Sequence, residues 1–212
     1  EDRATRLVAY QGVAYSQRYR TAITGIRAAE QRVQAGRTAT TEAACRSLYQ
    51  LMAYKDEYEV ARLLVDPGFL RQIDDSFEPS GRELRFNLAP PLWARVDPAT
   101  GRPRKSEYGP WILPFMRALA RMRFARGTGF DLFGYHHDRR VERALMDQFQ
   151  EVLTRMEQEL TVDRLELSLR IAELPLSIRG FGPVKLARIA EYHALLRDLL
   201  ENWDRSTSKA AQ

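Results

Sequence analysis

The sequence predicts a mainly α-helical protein, a single helical domain with a small inserted β-hairpin. Long segments without proline, bounded by capping residues and glycines, cover most of the 212 residues. The polar–apolar alternation of a half-buried strand occurs in residues 83–88. A continuous apolar stripe at helical spacing is formed by Val141, Leu145, Phe149, Val152, Met156 and Leu160. We therefore expect helices to build the core and the hairpin to lie against them.

The first part of the chain is predicted to form three helices. Residues 3–35 contain no proline and precede Gly36, a residue suited to end a helix. A threonine caps a second helix over residues 41–65. Asp66 then acts as the N-cap of a short helix that begins at Pro67 and ends near residue 77.

The hairpin is predicted at about residues 83–107. The turn signal at residues 97–101 favours pairing of 93–96 with 102–105. The domain is expected to span residues 1–205, with a mobile polar tail at 206–212. Further helices are predicted at 110–126, from about 138 to 160, from 161 or 163 to before 175, and at 183–203.

Composition excludes several classes of protein. With 44% hydrophobic residues the chain can bury a core, which excludes intrinsic disorder. The single cysteine, Cys45, excludes a disulfide scaffold. There is no apolar run of membrane-spanning length, and the first residues are too charged for a secretory signal. We expect a reduced, cytoplasmic setting and, because the chain begins at Glu1, a piece of a longer protein.

The motifs of common cofactor and metal sites are missing. One cysteine cannot supply the four thiolates of an iron–sulfur cluster. His136 and His137 are adjacent, so they do not form the i, i+4 pair that chelates a metal on a helix. The glycines at 127–129 lack the Lys-Ser/Thr ending of a phosphate-binding loop. The sequence therefore predicts no catalytic, cofactor-binding or metal-binding residue in this chain.

Charged residues interrupt the predicted second helix. On a continuous helix, Lys55 and Asp56 would lie on apolar stripes, and Lys55 would face Glu59 one turn later. Charges on an apolar stripe are costly unless they are paired. The three residues therefore indicate a buried ionic network or an interface with another domain, and less readily a substrate site.

A basic segment extends from Arg95 to Arg126. It contains eight Lys and Arg residues and two acidic residues. The resulting net charge of +6 exceeds the net charge of +5 for the whole chain. On the predicted helix, Arg117, Arg121 and Arg123 lie largely on one side. Such a patch suits an acidic protein, an anionic ligand or nucleic acid, while a solvated surface is the plainer interpretation.

Six blocks of the sequence resemble, in order, the C-terminal region of bacterial indolepyruvate ferredoxin oxidoreductases. They span well over half of the chain, although His136-His137-Asp138 departs from the family pattern. The blocks are 51–63 (LMAYKDEYEVARL), 86–92 (FNLAPPL), 108–111 (YGPW), 126–135 (RGTGFDLFGY), 139–145 (RRVERAL) and 178–185 (IRGFGPVK).

The resemblance implies an accessory helical domain of a 2-oxoacid:ferredoxin oxidoreductase that converts aryl pyruvates to acyl-CoA. The parent enzyme is expected to use thiamine diphosphate, [4Fe–4S] clusters and coenzyme A, none of them bound by this chain. The expected partners are the catalytic domains or subunits and, as an alternative, ferredoxin docked on the basic segment. A nucleic-acid binder is the least favoured alternative. The interface candidates are Lys55, Asp56, Glu59, Arg117, Arg121, Arg123, Arg126 and Arg179.

Overall fold

The computed structural model describes residues 2–78, 83–89, 104–180 and 183–210. The predicted fold class, mainly α with a small hairpin, is confirmed in these residues. The helices are α1 Asp2–Tyr10, α2 Val13–Val33, α3 Ala39–Met52, α4 Glu57–Leu64, α5 Pro67–Ser76, α6 Leu113–Arg121, α7 His137–Glu159, α8 Leu165–Glu173 and α9 Pro183–Ala210. The strands are β1 Phe86–Leu88 and β2 Ser106–Tyr108.

The chain divides into two compact units, where the sequence predicted one domain over residues 1–205. Unit 1 comprises Glu1–Tyr54 and His136–Gln212, and unit 2 comprises Lys55–Tyr135. Each unit has its own cluster of buried apolar side chains. The core of unit 2 is assembled from short elements that are distant in sequence, so helical periodicity does not reveal it.

In unit 1 the predicted first helix is interrupted. Helices α1 and α2 are separated at Gly12, whose φ of 151° is a backbone conformation that favours glycine. The prediction of one helix over residues 3–35 was therefore wrong at this point. The stripe predicted for α7 is confirmed, because Val141 packs against the core and five further side chains are buried: Leu145, Phe149, Val152, Met156 and Leu160.

Helix α9 continues beyond its predicted end. The structure keeps it helical to Ala210, so residues 206–210 of the predicted tail belong to the helix, and residues 211–212 lie outside the described residues. Neither α9 nor any other described helix is long and apolar enough to cross a membrane.

A buried carboxylate joins α2 to the first turn of α3. The backbone N–H groups of Thr40 and Thr41 donate to Glu30 at 2.9 Å each, and the Thr41 hydroxyl donates at 2.7 Å. Burial by itself would raise the pKa of Glu30, but these hydrogen bonds outweigh it and hold the pKa below the usual glutamate value. Glu30 thus satisfies backbone donors that the start of a helix otherwise leaves unpaired.

Unit 2 contains the hairpin and the short helices α4, α5 and α6. The two strands are antiparallel, with Phe86 opposite Tyr108 and Leu88 opposite Ser106. The predicted pairing of 93–96 with 102–105 lies outside the described residues. The predicted N-cap of α5 is confirmed, since Asp66 accepts hydrogen bonds from the first backbone N–H groups of that helix.

Candidate functional site

The helix predicted over residues 41–65 ends at Met52 and restarts at Glu57. Lys55 and Asp56 lie in the break, so the prediction that they interrupt the apolar stripes of a continuous helix was wrong. Lys55 is exposed and precedes α4, while Glu59 accepts two hydrogen bonds from Arg62 at 2.8 and 2.7 Å. Asp56 is the N-cap of α4, because its Oδ1 accepts from the backbone N–H of Glu59 at 2.8 Å.

Asp56 also forms a buried ion pair with Arg126, and each side chain is only 3% exposed. Arg126 Nε donates to Asp56 Oδ2 at 2.5 Å, and Nη2 donates to Oδ1 at 2.9 Å. This bidentate geometry is the strong form of an arginine–carboxylate contact. Of the three interpretations of Asp56, the buried ionic network describes its place in the fold. Arg126 belongs to this network and not to an exposed basic patch.

A second buried carboxylate, Asp131, organises the loop that follows Arg126. It accepts hydrogen bonds from the backbone N–H groups of Gly127, Phe133 and Gly134 at 2.8, 3.2 and 2.9 Å. The Tyr58 hydroxyl of α4 donates to it at 3.1 Å. Burial, and next the charge of Asp131, raises the pKa of Tyr58. Because donors hold this carboxylate from several sides, the arrangement suits anchoring a loop and not proton transfer.

Two glycines make this loop conformation possible. Gly127 has a φ of 76°, the left-handed region that glycine adopts without steric cost. A Cβ at Gly134 would meet the side chain of Asp131. Glycine at position 134 therefore permits the close approach of backbone and carboxylate.

The blocks that carry the family resemblance contact one another in pairs. Block 51–63 meets block 126–135 through the Asp56–Arg126 and Tyr58–Asp131 contacts. Block 86–92 meets block 108–111 in the hairpin. Block 139–145 meets block 178–185, because Lys185 Nζ lies 2.5 Å from an oxygen of Glu142. The matching residues thus hold separate parts of the chain together.

The remaining basic candidates lie at the surface. On α6 the buried side chains are Met116, Leu119 and Ala120, whereas Arg117 and Arg121 are exposed. Arg123, partly exposed, lies beyond the helix in the 3₁₀ turn Met122–Ala125.

Within the described part of the chain these three arginines form no ion pair. Arg95 lies outside the described residues. Arg179 is exposed, and its Nε donates to the carbonyl of Leu176 at 3.1 Å.

Sequence reasoning missed a concentration of exposed aromatic side chains. Among the described residues, every exposed Phe, Tyr or Trp lies in unit 2. The sequence contained a signal for it in the segment between Glu107 and Asp131. This segment is rich in arginine and aromatic residues and contains no Asp or Glu. The exposed aromatic residues are Phe69, Phe77, Trp111, Phe115, Phe124, Phe130 and Tyr135.

Potential metal ligands are not clustered in the part of the chain that the structure describes. Among the described residues, no three His, Cys, Asp or Glu side chains are grouped so that they could hold a metal ion. The sequence has one cysteine, whereas a [4Fe–4S] cluster takes four thiolates. The single cysteine of this chain therefore cannot by itself supply the ligands of such a cluster.

Comparison with known proteins identifies one family. Residues 1–198 match the model described as "Family of unknown function (DUF6537)". No curated protein matches the chain. No solved structure matches it either.

Proposed function

The chain belongs to the DUF6537 family, and from this premise we propose that it is an accessory, non-catalytic domain of an arylpyruvate:ferredoxin oxidoreductase. Its partners are the catalytic domains or subunits of that enzyme, which bind thiamine diphosphate and the clusters. The ordered resemblance of six sequence blocks supports the assignment of the enzyme. A cytoplasmic setting belongs to the same proposal, since the single cysteine suits a reducing compartment.

The observation that carries the accessory role is the pairing of the matched blocks. Ion pairs join two pairs of blocks, through Asp56 with Arg126 and Glu142 with Lys185, and Glu142 also pairs with Arg139 of its own block. A catalytic acid or base needs access to a substrate proton, and the buried carboxylates here are surrounded by donors of the chain itself. These blocks therefore support a scaffold role.

Titration calorimetry and a binding assay test the proposal. The chain alone is expected to give no heat with thiamine diphosphate and no cluster absorbance after iron–sulfur reconstitution. The catalytic portion of the oxidoreductase from the same genome is expected to bind the chain at one-to-one stoichiometry. Tight stoichiometric thiamine diphosphate binding by the isolated chain, or no binding of the catalytic portion, refutes it.

A second candidate is docking of an acidic ferredoxin. The arginines of α6 and the following turn favour it, since Arg117, Arg121 and Arg123 form no ion pair within the described residues. Affinity for a ferredoxin that depends steeply on salt, and that is lost on reversing these three charges, would support this candidate. Salt-independent ferredoxin binding, or none, would remove it.

A further inference from the structure

Residues 127–135 of unit 2 form a loop that presents apolar side chains to solvent. Phe130 is 84% exposed, Tyr135 70% and Leu132 54%, whereas Asp131 and Phe133 between them are buried. Single exposed apolar residues are common on protein surfaces, but three within six residues of one loop are not explained by packing. Aromatic side chains are also the residues enriched at the centres of protein interfaces.

The loop is held in one conformation by its buried residues. The carboxylate of Asp131 binds three backbone N–H groups of the loop. The ring of Phe133 packs edge-on against Tyr58 with centroids 5.3 Å apart, and the Tyr135 hydroxyl donates to the carbonyl of Gly129 at 3.1 Å. A preformed loop loses little conformational entropy on binding, so its exposed side chains suit a rigid anchor.

The charge of the adjoining segment selects the kind of partner. From residue 108 to 130 the chain contains arginines and no acidic residue. A two-fold contact between copies through this segment would place arginines against arginines, which disfavours a second copy. This positive charge is local, because unit 2 as a whole carries thirteen Lys and Arg against eleven Asp and Glu, so the unit lacks the extended positive field of a nucleic-acid binder. An acidic protein surface is the complementary partner.

We propose that the loop 127–135 inserts Phe130, Leu132 and Tyr135 into an apolar pocket on the catalytic portion of the oxidoreductase, and that carboxylates surround this pocket. Arg117, Arg121 and Arg123, which lie in the segment leading into this loop, supply the positive charge that steers the encounter. This inference rests on the proposed function and adds the docking surface and the chemistry of the site it recognises. Apolar anchors chiefly set the rate of dissociation, and peripheral charges chiefly set the rate of association and its salt dependence.

Binding kinetics of the full chain on the immobilised catalytic portion test the division of roles. Phe130→Ala is expected to raise the dissociation rate about tenfold or more, with little change in association. Its control is Val162→Ala, at an exposed position of unit 1. The triple reversal Arg117→Glu, Arg121→Glu and Arg123→Glu is expected to lower the association rate and flatten its salt dependence.

The control for the charge reversal is the triple variant of Arg20, Arg27 and Arg170, three exposed arginines of unit 1 changed to Glu. Circular dichroism melts of all variants establish that they are folded, as expected for exposed side chains. If the wild-type chain binds but Phe130→Ala behaves like Val162→Ala, the loop inference is overturned and the proposed function stands. If the wild-type chain does not bind, the proposed function itself is refuted.

Three other partners of this surface would give different results: a second copy of the chain, nucleic acid and ferredoxin. A dimer in sedimentation velocity that is lost in Phe130→Ala would overturn the inference in favour of a second copy. The chain is tested in the same way with polyuridine. If the charge reversal abolishes the binding of polyuridine but leaves binding of the catalytic portion unchanged, the arginines bind nucleic acid and their role in the inference is overturned. If Phe130→Ala weakens the binding of ferredoxin but not that of the catalytic portion, the loop docks on the electron carrier and the inference is overturned.

Discussion

The buried ion pair between Asp56 and Arg126 allows the sharpest test of unit 2. Asp56→Asn keeps an N-cap oxygen for α4 but removes the charge that Arg126 faces at 2.5 Å. Removing one partner of a buried pair strands the other charge and costs about 3–5 kcal/mol of unfolding free energy. Asp56→Ala also loses the cap, which adds about 1 kcal/mol.

Asp66 is the matched control, because it caps α5 in the same unit without an ion pair among the described residues. Asp66→Ala is expected to cost about 1 kcal/mol. Asp66→Asn loses only the attraction of its charge to the helix dipole, about 0.3–1 kcal/mol. The difference between the two Asn variants therefore isolates the ion pair from the cap.

Hydrogen exchange measured by mass spectrometry is the appropriate assay, since it resolves the two units. A loss of about 3 kcal/mol corresponds to roughly a hundredfold faster exchange of the most protected amides. We expect this change in Asp56→Asn within α4 and α6, and a smaller one in α7 of unit 1. The double variant Asp56→Asn/Arg126→Met removes the stranded charge and is expected to recover most of the loss.

Two results would refute this reasoning. If Asp56→Asn is no less stable than Asp66→Asn, the ion pair contributes no more than an exposed cap. If the double variant is as unstable as Asp56→Asn, the stranded charge is not the source of the loss.

Three further predictions concern single side chains and are measured by urea unfolding. Glu30→Gln is expected to destabilise the chain by about 1–3 kcal/mol at neutral pH. The folded-state pKa of Glu30 is lowered, so its contribution is complete above the usual glutamate pKa of about 4.3 and is lost as pH falls through the lower folded value. A difference between wild type and variant that does not shrink as the pH falls below that usual pKa contradicts this. Gly134→Ala is expected to lower the free energy of unfolding by about 1–3 kcal/mol, because the added Cβ would meet the side chain of Asp131. Gly129→Ala is the control and should be close to neutral, since its added Cβ meets no atom within 4 Å. Equal effects of the two variants would count against the loop geometry. Tyr58→Phe should lower the free energy of unfolding by about 1–2 kcal/mol, because it removes the hydrogen bond to Asp131. Tyr192→Phe is the control and should be neutral or stabilising, since its buried hydroxyl has no partner in the described residues. The reverse order would contradict the hydrogen-bond assignment.

Local signals in the sequence were sufficient for much of the fold. The apolar spacing along α7 and the Asp-Pro start of α5 depend on neighbours within one or two turns, and both predictions are confirmed. The first strand, Phe86–Leu88, lies within the alternating segment 83–88 that was predicted to form it. Such features need no knowledge of distant residues.

Features that depend on distant residues were missed. The break after Met52 carries no proline or glycine, so the pattern predicted one continuous helix. A new helix begins there because Asp56 caps it and is held by Arg126, seventy positions later. Likewise, nothing in the order of residues indicates that Tyr58 and Asp131 meet.

By itself, the sequence determined the helical class, the core stripe of α7, the lack of cluster ligands and the uneven distribution of charge. Only the tertiary structure decided that Arg126 is buried while Arg117 and Arg121 are exposed, although all three belong to one basic segment. The physical reason is that a charge is tolerated in the interior only beside a matching partner. For Arg126 that partner is Asp56, brought to it by the packing of unit 2.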